Sequence, residues 1–317
     1  MIGDMQRWTP NVASIIEHAK EFHPTKEVIS RMVSGDIHRT NYEEVCIRSR
    51  KLASALEKDG YKKGDVIATL ALNTYRHLEM YYGISGMGAI CHTLNFRLHP
   101  EQAVYIINHA DDKIIFCEVP FIPILEGLKD QLPCVEKYII LCDEADMPET
   151  GLKNAISYEE YINSGDEDYV WAKMDDDAAC GLCYTSGTTG NPKGVLYSHK
   201  SNILHAQASL NGMPISSDET ILMVVPLFHV LAWGIPYYGP MNGSKLVMPG
   251  MQMEGEPLYD LIDREKVTLA FGVPTIWMGL LAYCRDNNKI LTSVKNTIIG
   301  GSALSLPTLQ EFDEVHD

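Results

Sequence analysis

The stretch YTSGTTGNPKG, Tyr184 to Gly194, places three glycines, three threonines, a serine, a proline and a lysine in eleven consecutive residues. Those residue types suit the binding of an oxyanion. Glycine lets backbone N–H groups approach an anion closely and turn toward it. The hydroxyls of Thr185, Ser186, Thr188 and Thr189 add donors, and Lys193 adds a point charge. A flexible Gly/Thr surface turn is the plain alternative. The spacing excludes the Walker loop, which after Gly187 needs a glycine at position 192, then Lys and Ser or Thr. Position 192 is Pro, and Lys193 is followed by Gly194. A dinucleotide fingerprint fits poorly too. In "GISGMG" (Gly83–Gly88) the glycine order is reversed, and a helical pattern precedes it. What remains is a distinct phosphate loop, expected between a strand and a helix starting near Ser198, where anion sites form at helix N-termini.

The elements that must hold such a loop follow from the hydrophobic pattern. "TNYEEVCIRSRKLASALEKDG" reads as a helix, with Thr40 and Glu43 fitting a capping box and Gly60 a C-terminal stop. The apolar runs "VIATLAL", "AICHTL", "KIIFCE" and "YIILCD" read as strands, separated by helices through Tyr81, from Pro100 and near Ile122–Gln131. After "AACGLCYTS", which enters the loop as a strand, come "TILMVVP", "KLVMPG", "TLAFGVP" and "NTIIGG". This alternation predicts an α/β fold of largely parallel sheets with helices on both faces. Residues 143–177 interrupt it with twelve acidic residues and two lysines. They read as a solvated connection between two α/β portions, with a short helix at "SYEEYI".

Composition narrows the class. The chain has 317 residues, 45% of them hydrophobic and 21% charged, which suits a soluble globular protein. No apolar run is long enough for a membrane span, and the N-terminus lacks a secretion signal. The eight scattered cysteines read as reduced thiols in the cytoplasm. Cys180 and Cys183 form a lone C-x-x-C without a second pair, so packing along a strand is the expectation and no metal ligand is assigned. A net charge of −16 argues against nucleic acid as a partner. It does not argue against ATP, because charges beyond roughly 8 Å are screened and the loop's own donors decide.

With these residues in view, Tyr184–Gly194 resembles the signature loop of the adenylate-forming superfamily: acyl-CoA synthetases, luciferases and peptide-synthetase adenylation domains. "HTLNFRLHPEQAVYIINHA" resembles the upstream segment of the acyl-CoA ligases, "VVPLFHVLAWGIPY" their acyl-site motif, and "IIGGSALS" the turn beside acyl group and adenine. The likeness runs from about residue 10 to the end, and the Phe-His-Val-x-Ala-Trp-Gly variant is most similar to medium- and long-chain fatty acid and methylmercaptopropionate ligases.

The resemblance implies stacked, largely parallel sheets flanked by helices, in the N-terminal domain of that fold. It implies an ATP-dependent acid–thiol ligase for a fatty or similar aliphatic acid, with ATP, Mg²⁺ and CoA as cofactors. A carboxylate attacks the α-phosphate to give acyl-AMP and pyrophosphate, and the CoA thiol then displaces AMP. By resemblance Thr185, Ser186, Gly187, Thr188, Thr189, Gly190 and Lys193 hold the phosphates, with Mg²⁺ bridging them. His229 positions the acid, and Val230, Trp233 and Gly234 line the acyl pocket. Gly301, Ser302 and Ala303 pass close to acyl chain and adenine. Read from the residues alone, His229 fits equally a core histidine, Trp233 plain core on an apolar helix, and 301–303 an ordinary turn. His199 reads as a cap or surface residue.

One departure is large. Members of the superfamily continue into an aromatic-Gly-x-Thr-Glu motif, a ribose-binding Asp, a hinge and a small C-terminal domain carrying the adenylation lysine. Residues 1–317 contain none of these, so they read as an incomplete N-terminal adenylation domain with the C-terminal domain absent. A 317-residue product is then expected to be inactive in adenylation. The rivals are an enzyme loading a carrier protein and a non-catalytic nucleotide-binding fragment. Neither the acid nor the oligomeric state is legible.

Overall fold

Continuous apolar strands bury both faces of a parallel sheet only when helices cover each face, and this chain does so twice. The computed structural model describes residues 5, 8–185, 191–213 and 215–316. The chain begins α1 (Ala13–Phe22), β1 (Glu27–Arg31), β2 (Ile37–Asn41), α2 (Tyr42–Lys58), β3 (Val66–Leu70), α3 (Tyr75–Gly86) and β4 (Ile90–Thr93). It continues through α4 (Pro100–Ala110), β5 (Ile114–Cys117), α5 (Ile122–Leu128), β6 (Lys137–Ile140), β7 (Ile156–Ser157) and α6 (Tyr158–Asn163). Next come β8 (Ala179–Thr185), β9 (Lys193–Ser198), α7 (His199–Gly212), β10 (Thr220–Met223), α8 (Ile235–Asn242) and β11 (Lys245–Met248). The last elements are α9 (Gly255–Glu265), β12 (Leu269–Gly272), α10 (Pro274–Asp286), β13 (Asn296–Ile299) and α11 (Leu306–Val315).

A six-stranded sheet has the order β13-β12-β10-β11-β1-β2, and a seven-stranded sheet the order β7-β6-β5-β3-β4-β8-β9. All pairings are parallel except the edge strands β2 on β1 and β9 on β8. The largest core joins α1, α2, α3 and α8 to the inner faces of both sheets. Separate cores cover the outer faces, with α4 and α5 on the larger sheet and α9 and α10 on the smaller. The result is five layers, αβαβα. Helix α3 runs through the middle with all twelve residues buried, as a helix between two sheets must.

Three expectations need correction. The cap of α2 is shifted by one residue: the Asn41 side chain accepts from Glu44 N, while Thr40 Oγ1 donates to the Glu44 carboxylate at 2.6 Å. Residues 143–177 do not separate two α/β portions in space, because each sheet draws strands from both sides of them. Nor are they merely solvated. They supply β7 and α6, and Glu159 receives both terminal nitrogens of Arg48 at 2.9 Å. Finally, His199 is neither cap nor surface residue. It is fully buried, and its Nδ1 accepts from Val12 N at 3.2 Å, across 187 positions of sequence.

Burial pushes two histidines down to about 4: His199, and His77, which sits between the Leu72 carbonyl and the Thr69 hydroxyl. A histidine with a depressed folded value resists protonation in the native state only. Its contribution is therefore complete above the ordinary value of 6.5 and is lost as pH falls from there through about 4. Each histidine is expected to remove about 3 kcal/mol across that window. Urea unfolding across this pH range should show the slope, and His199→Gln should reduce it by about half. An unchanged slope would remove His199 from this role.

Candidate active site

The loop of interest closes a β-hairpin. β8 and β9 are antiparallel, with Cys183 opposite Val195, Tyr184 opposite Gly194 and Thr185 opposite Lys193. The expected strand-to-helix setting is thus corrected. α7 begins at His199, at the far end of β9, about 20 Å of strand from the loop. The helix terminus is too distant to act on an anion there, since dipole effects fade within a turn. Ser186, Gly187, Thr188, Thr189 and Gly190 lie outside the described residues. Thr185 and Lys193 are exposed and stand side by side at the hairpin's mouth.

The stem of this hairpin rests on a polar cluster that sequence reasoning missed. The Tyr184 hydroxyl bonds His109 Nδ1 of α4 at 2.6 Å. Its ring lies 5.2 Å from His92 of β4, whose Nδ1 bonds both oxygens of Asp112 at 3.0 and 2.9 Å. His92 and Asp112 are both fully buried. Burial pushes the Asp112 carboxyl up, and the facing imidazole opposes that. The available signal was a histidine inside the apolar run "AICHTL", an odd place for a polar side chain without a partner.

The second part of the site follows β10. His229 is exposed, which settles the choice against a core histidine. Trp233 is not on an apolar helix. Val230, Leu231, Ala232 and Trp233 have φ of 48°, 46°, 48° and 54°, a left-handed turn completed by Gly234 at 81° before α8 begins. Each non-glycine residue there costs about 1–2 kcal/mol. Four in succession, one of them β-branched, require strong support from outside the turn. Glycine is needed at two contacts. A Cβ on Gly234 would lie 2.6 Å from His205 Nδ1 of α7, and one on Gly300 would lie 2.7 Å from the Trp233 ring.

These contacts bring the separate motifs together. Trp233 packs on Gly300, so the turn after β10 meets the turn after β13. Gly301, Ser302 and Ala303 are exposed just beyond, with Gly301 at φ 85°. Leu231 lies over Gly181 of β8, and the Cys183 thiol sits against the backbone of Val230 and Leu231. Phe228 meets Phe96 of the upstream segment edge to face at 4.9 Å. β10, β12 and β13 are neighbours and parallel, so the turns after β10 and β13 leave one C-terminal edge of their sheet. Ligands of open α/β sheets bind at such edges. Among the described residues, the acidic cluster Asp175–Asp177 is the sole group with metal-ligand spacing. It lies at the opposite end of β8 from the loop, and Lys200 pairs with Asp176 and Asp177 at 3.0 and 3.3 Å.

A family model described as AMP-binding enzyme matches residues 16–317. A medium-chain-fatty-acid–CoA ligase of Ectopseudomonas oleovorans is 43% identical over all of this chain and 58% of its own length. A 3-methylmercaptopropionyl-CoA ligase of Ruegeria lacuscaerulensis is 44% identical over 99% of this chain and 59% of its own length. The chain therefore spans somewhat under two thirds of these curated relatives. Among solved structures, an anthranilate CoA ligase in complex with anthranoyl-AMP superposes with a TM-score of 0.86 at 22% identity, covering 100% of this chain and 60% of that one. That likeness concerns the fold.

Proposed function

Because the chain belongs to the AMP-binding enzyme family, we propose that its gene product is an ATP-dependent acyl-CoA ligase for an aliphatic carboxylic acid. The observation that carries this reading is the packing of the left-handed turn on both the hairpin stem, at Gly181 and Cys183, and the turn at Gly300. The names of the two curated relatives support a fatty acid or a methylthio-substituted short acid as substrate.

In this reading the acid's carboxylate oxygen attacks the α-phosphorus of ATP, and the bond to the β-phosphate oxygen breaks. Charge grows on the departing pyrophosphate. The pairing of Thr185 with Lys193 across the hairpin supports a role for both in meeting that charge with donors, the kind of term that lowers such barriers most. Among the described stem residues, Thr185 and Asn191 carry neutral side-chain oxygens that would hold a Mg²⁺ accompanying the nucleotide, and the ion would supply charge neutralisation on the phosphates. His229, at the entry to the strained turn, orients the acid. Val230, Trp233 and Gly234 shape the space for its chain, and Gly301, Ser302 and Ala303 border the adenine. In the second half reaction the CoA sulfur bonds the acyl carbon and AMP leaves. Eight unpaired cysteines support a reducing compartment, and we place the protein in the cytoplasm.

The test is thioester formation by the complete gene product, with ATP, CoA and a panel of acids from acetate to palmitate plus 3-methylthiopropionate. Turnover of one group of aliphatic acids is expected. Acid-dependent AMP release without any thioester would redirect the reading to a carrier-protein loader, and no acid-dependent AMP would end it. Trp233→Ala should shift the preferred chain length, and a Cβ at Gly300 should shift it too by displacing the same ring. An unchanged length profile in both variants would remove Trp233 from the pocket.

A further inference from the structure

The left-handed turn at Val230–Gly234 is held at both ends by residues of the segment that follows β3 of the other sheet and of α3. Asn73 follows β3 and is 5% exposed. Its Nδ2 donates to the carbonyls of Met223 and Val225, both at 2.8 Å, and its Oδ1 accepts from Leu227 N at 2.9 Å. Both amide hydrogens and the amide oxygen thus go to alternate backbone groups of one extended segment. Such a pattern fixes the register of that segment as a ladder partner would, since a slip by one residue breaks all three bonds. On α3, the Tyr81 hydroxyl donates to the Leu227 carbonyl and the Tyr82 hydroxyl to the Pro236 carbonyl. Tyr237 packs between their rings, at centroid distances of 6.0 and 6.3 Å. The anchors therefore bracket the strained residues at both ends. Four non-glycine residues in the left-handed region persist only where their surroundings over-determine them, and these bonds supply that constraint.

We infer that Asn73 and Tyr81 are positioning residues for the acid: they hold the Met223–Leu227 segment that leads into the turn, so that His229, Val230 and Trp233 face the substrate. The inference rests on the acyl-CoA ligase reading. Neither side chain touches the hairpin mouth through any of these bonds, so nucleotide binding should be largely independent of them.

The experiment uses the complete gene product with its best acid, ATP and CoA, and compares wild type, Asn73→Ala and Tyr81→Phe. Tyr81→Phe keeps the ring and removes one hydroxyl, so it decides the question if Asn73→Ala fails to fold. Tyr81→Phe is expected to raise KM for the acid about tenfold, and Asn73→Ala more, with KM for ATP changed less than about twofold. The preferred acid length should also broaden. A purely structural role would instead lower the thermal midpoint and reduce kcat while leaving the ratio of the two KM values unmoved. That result, or an unchanged KM for the acid in Tyr81→Phe, overturns the inference while the ligase reading stands. A wild type that turns over no acid overturns both.

Discussion

Lys193→Ala in the complete gene product is expected to lower the rate of acyl-AMP formation by about 10²- to 10³-fold while acid binding is nearly unchanged. The reasoning is electrostatic. Pyrophosphate gains charge only as the bond to the α-phosphorus breaks, so a cation aimed at it acts more on the transition state than on the ground state. Lys193 is the cation at the hairpin mouth, directly across from Thr185. The hairpin setting sharpens the prediction, because the start of α7 is a strand's length away and cannot compensate for the missing charge. Single-turnover formation of acyl-AMP, set beside the acid's Kd, separates the two effects. Loss of acid binding with normal adenylation would show that Lys193 serves the acid and not the phosphates.

Arg48→Met is expected to destabilise the fold by about 3–5 kcal/mol. Arg48 Nε donates to Glu79 at 2.7 Å, and its terminal nitrogens go to Glu159 at 2.9 Å. Glu79 lies inside α3 and is fully buried; its other partner is the Tyr158 hydroxyl at 2.9 Å. Removing the guanidinium leaves a carboxylate in the middle layer with one neutral donor. Burial already pushes the Glu79 carboxyl up, and Arg48 is the main opposing influence. A carboxyl raised in the folded state favours folding when protonated, and that contribution is lost as pH rises through its folded value. The cost of Arg48→Met should therefore be larger near about pH 8 than near about pH 5. Glu79→Leu added to Arg48→Met should recover most of it. Urea unfolding reads all three, and a cost for the single variant below about 1 kcal/mol would show that the pair contributes little.

Much of this architecture is legible in the chain. Strands whose residues are apolar on both faces, such as "KIIFCE" and "TLAFGVP", allow few folds, and both lie in parallel sheets covered by helices. Pro100 does begin α4, and the short helix in the acidic stretch does form, capped by Ser157. The hairpin was not legible because β9 breaks the pattern. Val195 and Leu196 are exposed on an edge strand, and "VLYSHK" reads as an approach to a helix. β1 and β2 escaped for a similar reason, since β2 carries Ile37, His38, Arg39, Thr40 and Asn41 without a clear alternation. The left-handed turn could not be foreseen, because Val, Leu, Ala and Trp are residues that local rules place in right-handed helices or strands. Its support comes from Asn73 and Tyr81, about 150 positions away. The burial of His199 has the same origin, a partner at Val12. What sequence spacing misses here is long-range hydrogen bonding to backbone, which leaves no local periodic trace.

Adenylation is read most directly by acid-dependent exchange of labelled pyrophosphate into ATP by the complete gene product, before any CoA is added. Exchange is expected to require both an aliphatic acid and ATP, and to fall sharply in Lys193→Ala. Absence of exchange with every acid of the panel, in a protein that still binds ATP, would contradict the acyl-CoA ligase function.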